Sequence, residues 1–362
     1  MSLRIVGMGV AVPAHAIDQA DAASLLLSFL PPGGRPRSIH ALHARSGIRT
    51  RHSVLLGPPG PPPEARQSFY APAAHPDDGG PSTAARMARY EADAPPLAAA
   101  AARRALADAA LQPGEVTHLV TVSCTGFFAP GLDAALVGRL GLRPGVERTH
   151  VGFMGCHGAL NGLRVASSLA GAHPEARVLV CATELCSLHL AYTWDPNALV
   201  ANALFSDGAA ALVGVPASTG DEGWRVAASG TLIFPDSADA MSWRIGDHGF
   251  RMTLSAAVPD LIRAHVADWL RGWLAGQGVA LEDVATWAVH PGGPRVLTAF
   301  GQAVGLERDA FSVSRDVLAE YGNMSSASLL FILDRLRTAG APGPVVALAF
   351  GPGLVAEVAL LV

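Results

Sequence analysis

Long apolar runs rich in β-branched residues alternate along this chain with alanine- and leucine-rich stretches of helical period. Such runs are typical of strands covered on both faces by helices, because strands of that kind have no polar face. The run at residues 116–126 ends in a polar turn that contains glycine, and the run at residues 284–293 does the same. The pattern predicts an α/β protein built around buried strands.

The same order of elements occurs twice. After each of these strands we predict a strand-to-helix turn, at residues 151–169 in the first half and at residues 311–336 in the second. Two more apolar runs follow each turn, at residues 176–183 and 209–213 and at residues 344–350 and 355–360. We therefore predict an internal duplication, in which a pseudo-twofold axis brings equivalent strand and helix ends to one seam.

Composition narrows the possible partners. Half of the 362 residues are hydrophobic, 15% are charged and the formal net charge is −4, so the chain can bury a large core but has no field that attracts nucleic acid. No apolar run is long enough to span a bilayer or to form a signal peptide. We expect a cytoplasmic protein with no nucleic-acid or membrane partner. The proline- and glycine-rich residues 57–81 are predicted to form an irregular, exposed loop.

One cysteine occupies a position suited to a nucleophile. Cys156 follows a β-prone run and a glycine, and it stands where a helical pattern begins. A thiol at the first turn of a helix feels the positive end of the helix dipole, which lowers its pKa, and the free N–H groups there can hold an oxyanion. The four cysteines show no paired spacing, so neither a disulfide framework nor a structural zinc site is expected.

Two polar residues far downstream are candidate partners of this cysteine. His290 ends the predicted strand at residues 284–293, and Asn323 opens a helical pattern within residues 311–336, so both would reach the seam. The order Cys, His, Asn also occurs in papain-like cysteine proteases. Their local cysteine signature is absent here and the nucleophile lies mid-chain, so we do not favour that alternative. A non-catalytic scaffold would not be expected to keep all three residues.

Four short blocks resemble the signature sequences of type III polyketide synthases, the chalcone-synthase-like branch of the thiolase superfamily. They are Leu-Phe-Ser-Asp-Gly-Ala-Ala-Ala at 204–211, His-Pro-Gly-Gly-Pro at 290–294, Tyr-Gly-Asn-Met-Ser-Ser-Ala at 321–327 and Phe-Gly-Pro-Gly-Leu at 350–354. The resemblance implies a thiolase-like αβαβα five-layer fold made of two duplicated halves. Residues 1–215 would form the half that carries Cys156, and residues 216–362 the half that carries His290 and Asn323.

The resemblance also implies a reaction. Cys156 would take an acyl starter from coenzyme A as a thioester, and His290 would keep the thiol as thiolate. His290 and Asn323 would hold the carbonyl of malonyl-CoA while it loses carbon dioxide, since the resulting enolate needs neutral or cationic donors. The expected activity is repeated condensation of malonyl-CoA onto an aliphatic acyl-CoA, followed by cyclisation to an α-pyrone or resorcinol-type product, with no metal or other cofactor.

Further residues would shape the substrate cavity by the same resemblance. Phe205 matches a gating phenylalanine, and Met252 stands where the family has a second one. Trp243 lies where plant enzymes have a small residue, which argues against a chalcone-like cavity. Cys186 and His189 resemble the pattern of bacterial members that take fatty acyl starters. The predicted lining also includes Thr125, Gly351, Pro352 and Gly353.

Binding of coenzyme A and dimerisation are implied as well. Arg45, Arg49 and Arg51 resemble the basic segment that meets coenzyme A phosphates at the tunnel mouth. Family members are homodimers, and the loop at residues 127–131 matches a loop that crosses between subunits. A ketoacyl synthase III-like enzyme that uses acyl-carrier protein shares the three candidate residues and is the alternative. His157, next to the nucleophile, is expected to point away along the helix.

Overall fold

The computed structural model describes residues 2–218, 220 and 222–362. Two lists give its regular elements. The strands are β1 (Leu3–Ala11), β2 (Ala16–Asp18), β3 (Thr50–His52), β4 (His118–Ser123), β5 (Glu147–Gly152), β6 (Val178–Leu185), β7 (Asp207–Pro216), β8 (Arg225–Ile233), β9 (Met241–Gly246), β10 (Gly249–Leu254), β11 (Thr286–Val289), β12 (Val345–Gly351) and β13 (Val355–Leu361). The α-helices are α1 (Gln19–Phe29), α2 (Pro36–Ala44), α3 (Thr83–Asp108), α4 (Leu132–Leu140), α5 (Gly158–Ala172), α6 (Pro196–Leu204), α7 (Val258–Ala275), α8 (Pro294–Val304), α9 (Ser312–Tyr321) and α10 (Ser326–Thr338).

Nine strands form one sheet in the order β11-β12-β13-β8-β1-β7-β6-β4-β5. In the first half β1 and β6 both pair antiparallel with β7, and β6 pairs parallel with β4. In the second half β8 and β12 both pair antiparallel with β13, and β12 pairs parallel with β11. The two series are the same arrangement repeated, and they meet where β1 pairs antiparallel with β8. The predicted duplication is confirmed.

Alternate residues of the strands face different helices, which produces five layers. Val178 and Val180 of β6 belong to a core that contains α5 and α10, whereas Leu179 and Cys181 belong to a core that contains α3 and α4. In the second half the outer face of the sheet packs on α7 and α8. Because strand side chains alternate with a period of two, each continuous apolar run serves two cores at once. The αβαβα architecture predicted from the sequence is therefore present.

The second half departs from the predicted order at one place. Residues 311–336 were expected to contain a strand-to-helix turn, but α9 precedes Asn323 and no strand corresponding to β5 stands there among the described residues. The buried residues of α9 are Ser314, Val317, Leu318 and Ala319, and the spacing of three from Ser314 to Val317 and of four from Ser314 to Leu318 is helical. Asn323 accordingly lies in a turn between two helices.

The loop at residues 57–81 is irregular except for a short 3-10 turn at Pro63–Arg66. It is not wholly exposed, which corrects the prediction. Tyr70 is buried, stacks on Phe29 at 5.1 Å between ring centroids, and donates its hydroxyl to the carbonyl of Ser187 at 2.6 Å. This aromatic side chain anchors the loop to the core. Across the described part of the chain, no helix is both long and apolar enough to cross a membrane.

Candidate active site

Cys156 lies in a 3-10 turn, Gly155–His157, between the end of β5 and the start of α5. The turn packs closely against the loop that follows β12. Gly155 has φ +79°, and a Cβ on it would stand 2.3 Å from Cδ of Pro352. Only glycine combines this backbone conformation with so close an approach. The local sequence thus fixes the thiol at the contact between the two halves.

Ser325 connects the thiol to the second half. Its hydroxyl donates to Sγ of Cys156 at 3.6 Å and lies 3.1 Å from Sγ of Cys124. Its backbone N–H donates to Oδ1 of Asn323 at 2.8 Å. Because that bond occupies the amide oxygen, the Asn323 side chain presents its NH₂ group, which also makes a long bond of 3.4 Å to the carbonyl of Gly292. Asn323 therefore offers a donor beside the thiol.

His290 directly follows β11, and its backbone N–H is fixed by the carbonyl of Leu348 at 2.8 Å. The imidazole is buried, yet neither ring nitrogen has a hydrogen-bond partner among the described residues. Buried polar groups are rarely left unpaired, since each costs about 1–3 kcal/mol. Both ring nitrogens of His290 can therefore form hydrogen bonds to a bound molecule.

Burial sets the charge of the cysteine and the histidine. It raises the pKa of the Cys156 thiol to about 12, although the hydrogen bond from Ser325 opposes the shift. It lowers the pKa of His290 to about 3, and the neighbouring His157 adds to this effect. The sequence predicted a lowered thiol pKa, and this is corrected, because the thiol is desolvated and precedes α5 rather than lying within its first turn. Both groups are therefore neutral near pH 7.

Glu184, at the end of β6, is a buried carboxylate that sequence reasoning missed. It accepts hydrogen bonds from the hydroxyl of Thr125 at 2.7 Å, from the backbone N–H of Cys124 at 3.0 Å and from the hydroxyl of Ser326. Burial raises its pKa. Since Ser326 belongs to α10, the hydrogen bond between Ser326 and Glu184 joins the two halves of the molecule. A carboxylate within an otherwise apolar, fully buried strand was the available signal.

A cavity of about 530 Å³ opens beside Cys156. Most of the predicted pocket residues line it: Thr125, Cys186, His189, Phe205, Trp243, Met252 and Pro352. Gly351 and Gly353 do not line it. Gly351 instead lies against the His157 ring, where a Cβ would stand 2.3 Å from Cδ2, and the Gly353 N–H donates to the carbonyl of Met241.

One wall of the cavity is an aromatic cluster whose side chains are fixed by hydrogen bonds and ring stacking. His189 lies 2.6 Å from the carbonyl of Thr125 through Nε2, and its Nδ1 accepts from the backbone N–H of Phe250 at 3.0 Å. Its ring stacks on Phe250 at 4.2 Å, and Trp243 donates Nε1–H to the carbonyl of Cys124 at 2.7 Å. Burial lowers the pKa of His189 to about 3, so the ring is a neutral wall rather than an acid or base. Phe250 was not predicted.

The three predicted phosphate-binding arginines do not lie together at the cavity. Arg51 is buried, and its guanidinium donates to the carbonyls of Asn202 at 2.6 Å and Phe205 at 3.0 Å. It supports the backbone at Phe205 and cannot reach a phosphate in solvent, which corrects that prediction. Arg45 and Arg49 are exposed but do not line the cavity. Among the described residues, Arg251 is an exposed cation that does line the cavity.

Known proteins resemble this chain in sequence and in fold. Sequence profiles of the N-terminal and C-terminal domains of chalcone and stilbene synthases match residues 2–217 and 225–362. The 1,3,6,8-tetrahydroxynaphthalene synthase of Streptomyces peucetius subsp. caesius is 39% identical, with 99% of this chain and 92% of that protein covered. The α-pyrone synthesis polyketide synthase-like protein Pks18 of Mycobacterium tuberculosis is 34% identical, with 98% and 89% covered. The crystal structure of PKS-I from the brown alga Ectocarpus siliculosus superposes with a TM-score of 0.91 at 30% identity and covers 99% of this chain and 98% of that one.

Proposed function

The chain belongs to the chalcone and stilbene synthase family and is a type III polyketide synthase, and from this premise we propose that Cys156, His290 and Asn323 carry its condensation reaction. The supporting observation is that buried His290 has two ring nitrogens without a hydrogen-bond partner among the described residues, while the Cys156 thiol lines the cavity. The match extends over both halves of the chain, which favours this function over a ketoacyl synthase III-like enzyme that uses acyl-carrier protein.

The first half-reaction loads the starter. The Cys156 thiol gives its proton to His290 and attacks the thioester carbonyl of an acyl-CoA. The C–S bond to coenzyme A breaks, and coenzyme A leaves as a thiol with the proton returned by His290. The hydroxyl of Ser325 and the amide of Asn323 stabilise the sulfur while it is charged.

The second half-reaction extends the chain. The thioester carbonyl of malonyl-CoA lies between a ring N–H of His290 and the NH₂ group of Asn323, and the C–C bond to its carboxylate breaks to release carbon dioxide. The two donors stabilise the enolate oxygen, where two fixed donors in a buried site are worth several kcal/mol. The enolate carbon attacks the acyl thioester, and the Cys156 thiolate leaves, so the chain becomes two carbons longer and is attached to coenzyme A.

Cavity size restricts the aliphatic starter that we propose. At roughly 30 Å³ for each water-sized group, 530 Å³ holds about 18 non-hydrogen atoms of starter and ketide units together. The cluster of His189, Trp243 and Phe250 closes one side. A short or medium aliphatic acyl group leaves room for extension and for closure to a pyrone or resorcinol-type ring.

A second candidate product has one observation in its favour. The relative that is 39% identical over nearly the whole chain is named a 1,3,6,8-tetrahydroxynaphthalene synthase. A chain built from malonyl units alone fits the same limit on cavity size. In that case malonyl-CoA would serve as both starter and extender, and the product would be a fused aromatic.

We also propose that two copies of the chain associate through the β5 edge. This strand ends the nine-stranded sheet with one edge unpaired, and its side chains are mostly exposed. Phe127, Phe153 and Met154 lie exposed next to it, at 50%, 37% and 39%. An apolar surface beside a free strand edge is typical of a protein interface, and the loop at residues 127–131 forms part of it. The proposal requires a dimer in sedimentation at micromolar concentration.

The test incubates the purified protein with malonyl-CoA, alone and with acetyl-, hexanoyl-, octanoyl-, palmitoyl- or coumaroyl-CoA, and identifies products by mass spectrometry. Products heavier than a short aliphatic starter by ketide units, and absent with Cys156→Ala, support the first proposal. An aromatic product from malonyl-CoA alone supports the second. Turnover with carrier-protein thioesters but with no coenzyme A thioester would move the assignment to the ketoacyl synthase alternative.

A further inference from the structure

A second, smaller cavity shares a wall with the cavity that Cys156 lines. Its volume is about 50 Å³, and Leu190, Asn202 and Phe205 line both cavities. We call it the side pocket. Its aliphatic lining otherwise comes from β2, α1 and the loop after β3: Ile17, Ala22, Leu25, Leu26, Leu55 and Leu56. None of these six residues lines the larger cavity, so the N-terminal part of the chain supplies most of the apolar surface of the side pocket.

The polar side chains that line the side pocket are each hydrogen-bonded within the protein. The hydroxyl of Ser53 donates to that of Ser187 at 2.7 Å, which donates to Asp207 at 2.6 Å. The amide of Gln67 bonds to both backbone groups of Tyr70, at 2.9 Å and 2.7 Å. The other polar members bond to backbone groups: Arg51, His52 and Asn202. Nε of Arg51 lacks a partner, but this atom is itself buried and does not face the pocket. A charged or strongly polar occupant would therefore lose its water without gaining a partner, and an apolar one would not.

Phe205 stands between the two cavities and is fixed through its backbone. Its N–H donates to the carbonyl of Ala201 at 3.1 Å, and its carbonyl accepts from Arg51 at 3.0 Å. The side chain is only half-buried, and no aromatic ring of the described residues stacks on it, whereas Phe250 stacks on His189 at 4.2 Å. Because cavities adjoin the side chain on two sides, it can change rotamer while the backbone stays in place.

We propose that the side pocket binds the end of an aliphatic starter: the ring of Phe205 turns aside, and the last carbons of the acyl chain enter between α1 and the loop after β3. The inference rests on the proposed function, in which an acyl chain is attached to Cys156. At roughly 30 Å³ for each group, 50 Å³ holds about two carbons. Burial of one CH₂ group corresponds to about a fourfold gain in affinity, so two of them correspond to about fifteenfold.

The variant Ala22→Val fills the side pocket from the wall opposite the shared one. Ala22 is buried on α1 and, of the two cavities, lines only the side pocket. The change adds two carbons, which matches the number of carbons that the pocket holds. The control is Ala20→Val, which introduces the same β-branched residue on the exposed face of the same helix. Both variants are made together with Cys156→Ala, so that acyl-CoA binds without reacting.

The readout is the dissociation constant of butanoyl-, hexanoyl-, octanoyl- and decanoyl-CoA, measured by titration calorimetry. Affinity should rise with chain length up to a limit, and we expect this limit to be two carbons shorter with Ala22→Val than with Ala20→Val. At the longer limit, Ala22→Val should bind about fifteenfold more weakly than the control. The same limit in both variants would overturn the proposal. Binding needs no condensation, so the expected limits in a protein that makes no polyketide would count against the proposed function alone.

A second measurement uses the unaltered protein and so does not depend on whether Ala22→Val folds. Octanoyl- and decanoyl-CoA that carry a diazirine at the end of the acyl chain are bound and irradiated, and the labelled residues are located by peptide mass spectrometry. We expect label on α1, at Leu25 or Leu26, or on the loop at Leu56. Label that is absent from α1 and from this loop, for example confined to Phe250 and Met252, would refute the inference.

Discussion

Replacing Trp243 by alanine should lengthen the starter that this synthase accepts. The indole forms part of the cavity wall, with its ring edge-on to His189 at 5.4 Å and to Phe250 at 5.7 Å. Its Nε1–H satisfies the carbonyl of Cys124. Since His189 and Phe250 are stacked on one another and bonded in place, we expect them to stay when the indole is removed.

The size of the effect follows from the volume released. A large-to-small substitution in a packed site opens on the order of 150 Å³, and at roughly 30 Å³ for each group this admits about five more non-hydrogen atoms. The cavity would grow from about 530 Å³ by that amount. Truncating a fully buried tryptophan costs about 3–5 kcal/mol, and because Trp243 is only half-buried we expect about 2–3 kcal/mol here.

The assay compares kcat/KM for acetyl-, hexanoyl-, octanoyl- and decanoyl-CoA in the wild type and in Trp243→Ala, with malonyl-CoA saturating. The preferred starter should shift by about four to five carbons. Trp243→Phe is the control, since it removes the hydrogen bond to Cys124 but keeps most of the ring. An unchanged preference in Trp243→Ala, or the same shift in both variants, would refute the reasoning that indole volume limits the starter.

Three further outcomes follow from local geometry. Gly155→Ala should unfold at lower temperature and lose alkylation at Cys156 by iodoacetamide, because the residue has φ +79° and the new Cβ would stand 2.3 Å from the ring of Pro352. The control is Gly138→Ala, whose Cβ would meet nothing within 4 Å, and we expect it to be neutral or slightly stabilising. Burial raises the pKa of Asp207 to about 6, above its unfolded value. Its contribution to the free energy of folding is therefore complete below about pH 4 and is lost as pH rises through 6, by about 3 kcal/mol in all. Urea unfolding across that range should show this loss in the wild type and not in Asp207→Asn. His290→Gln should leave a thiol of pKa about 12 without a base, so that alkylation rises about tenfold for each pH unit from 7 to 9.

Each of these outcomes has a result that would contradict it. Equal melting temperatures for the two glycine variants would show that the turn can move away from the loop after β12. Parallel pH curves for the wild type and Asp207→Asn would mean that another group dominates that range. A plateau in the alkylation rate of His290→Gln below pH 9 would show that something other than His290 lowers the thiol pKa.

The sequence was sufficient for β4, β6, β7, β11, β12 and β13 and for their repetition, because strands buried on both faces are continuous apolar runs. Val178 to Val180 is one example, where neighbouring side chains enter different cores. The analogy between the halves fails for α9, because a strand-to-helix turn was predicted within residues 311–336 and a helix precedes Asn323 instead. Short segments with few buried residues do not carry enough periodicity to separate the two conformations.

The residues of the candidate site could be predicted where residue type and position at the end of a strand are sufficient to identify them. Where burial decides, the sequence was misleading. Arg51 belongs to a cluster of arginines in the sequence, but it lies on β3 between Thr50 and His52 and its side chain enters the core, where it donates to two carbonyls. The thiol of Cys156 was expected to ionise easily, and desolvation reverses this. Both errors concern the environment of a charge, which depends on residues more than a hundred positions away.

The duplication explains how two similar halves produce a site with different chemistry on each side. Equivalent strand ends, those of β4 and β11, lead to Cys124 and His290, and the starts of the equivalent helices α5 and α10 lie next to Cys156 and Ser325. The hydroxyl of Ser325 lies within hydrogen-bond distance of both thiols, so the second repeat supplies donors where the first supplies sulfur. Because the proposed nucleophile and its proposed donors come from different repeats, any change that shifts one half against the other should slow the reaction before it unfolds the protein.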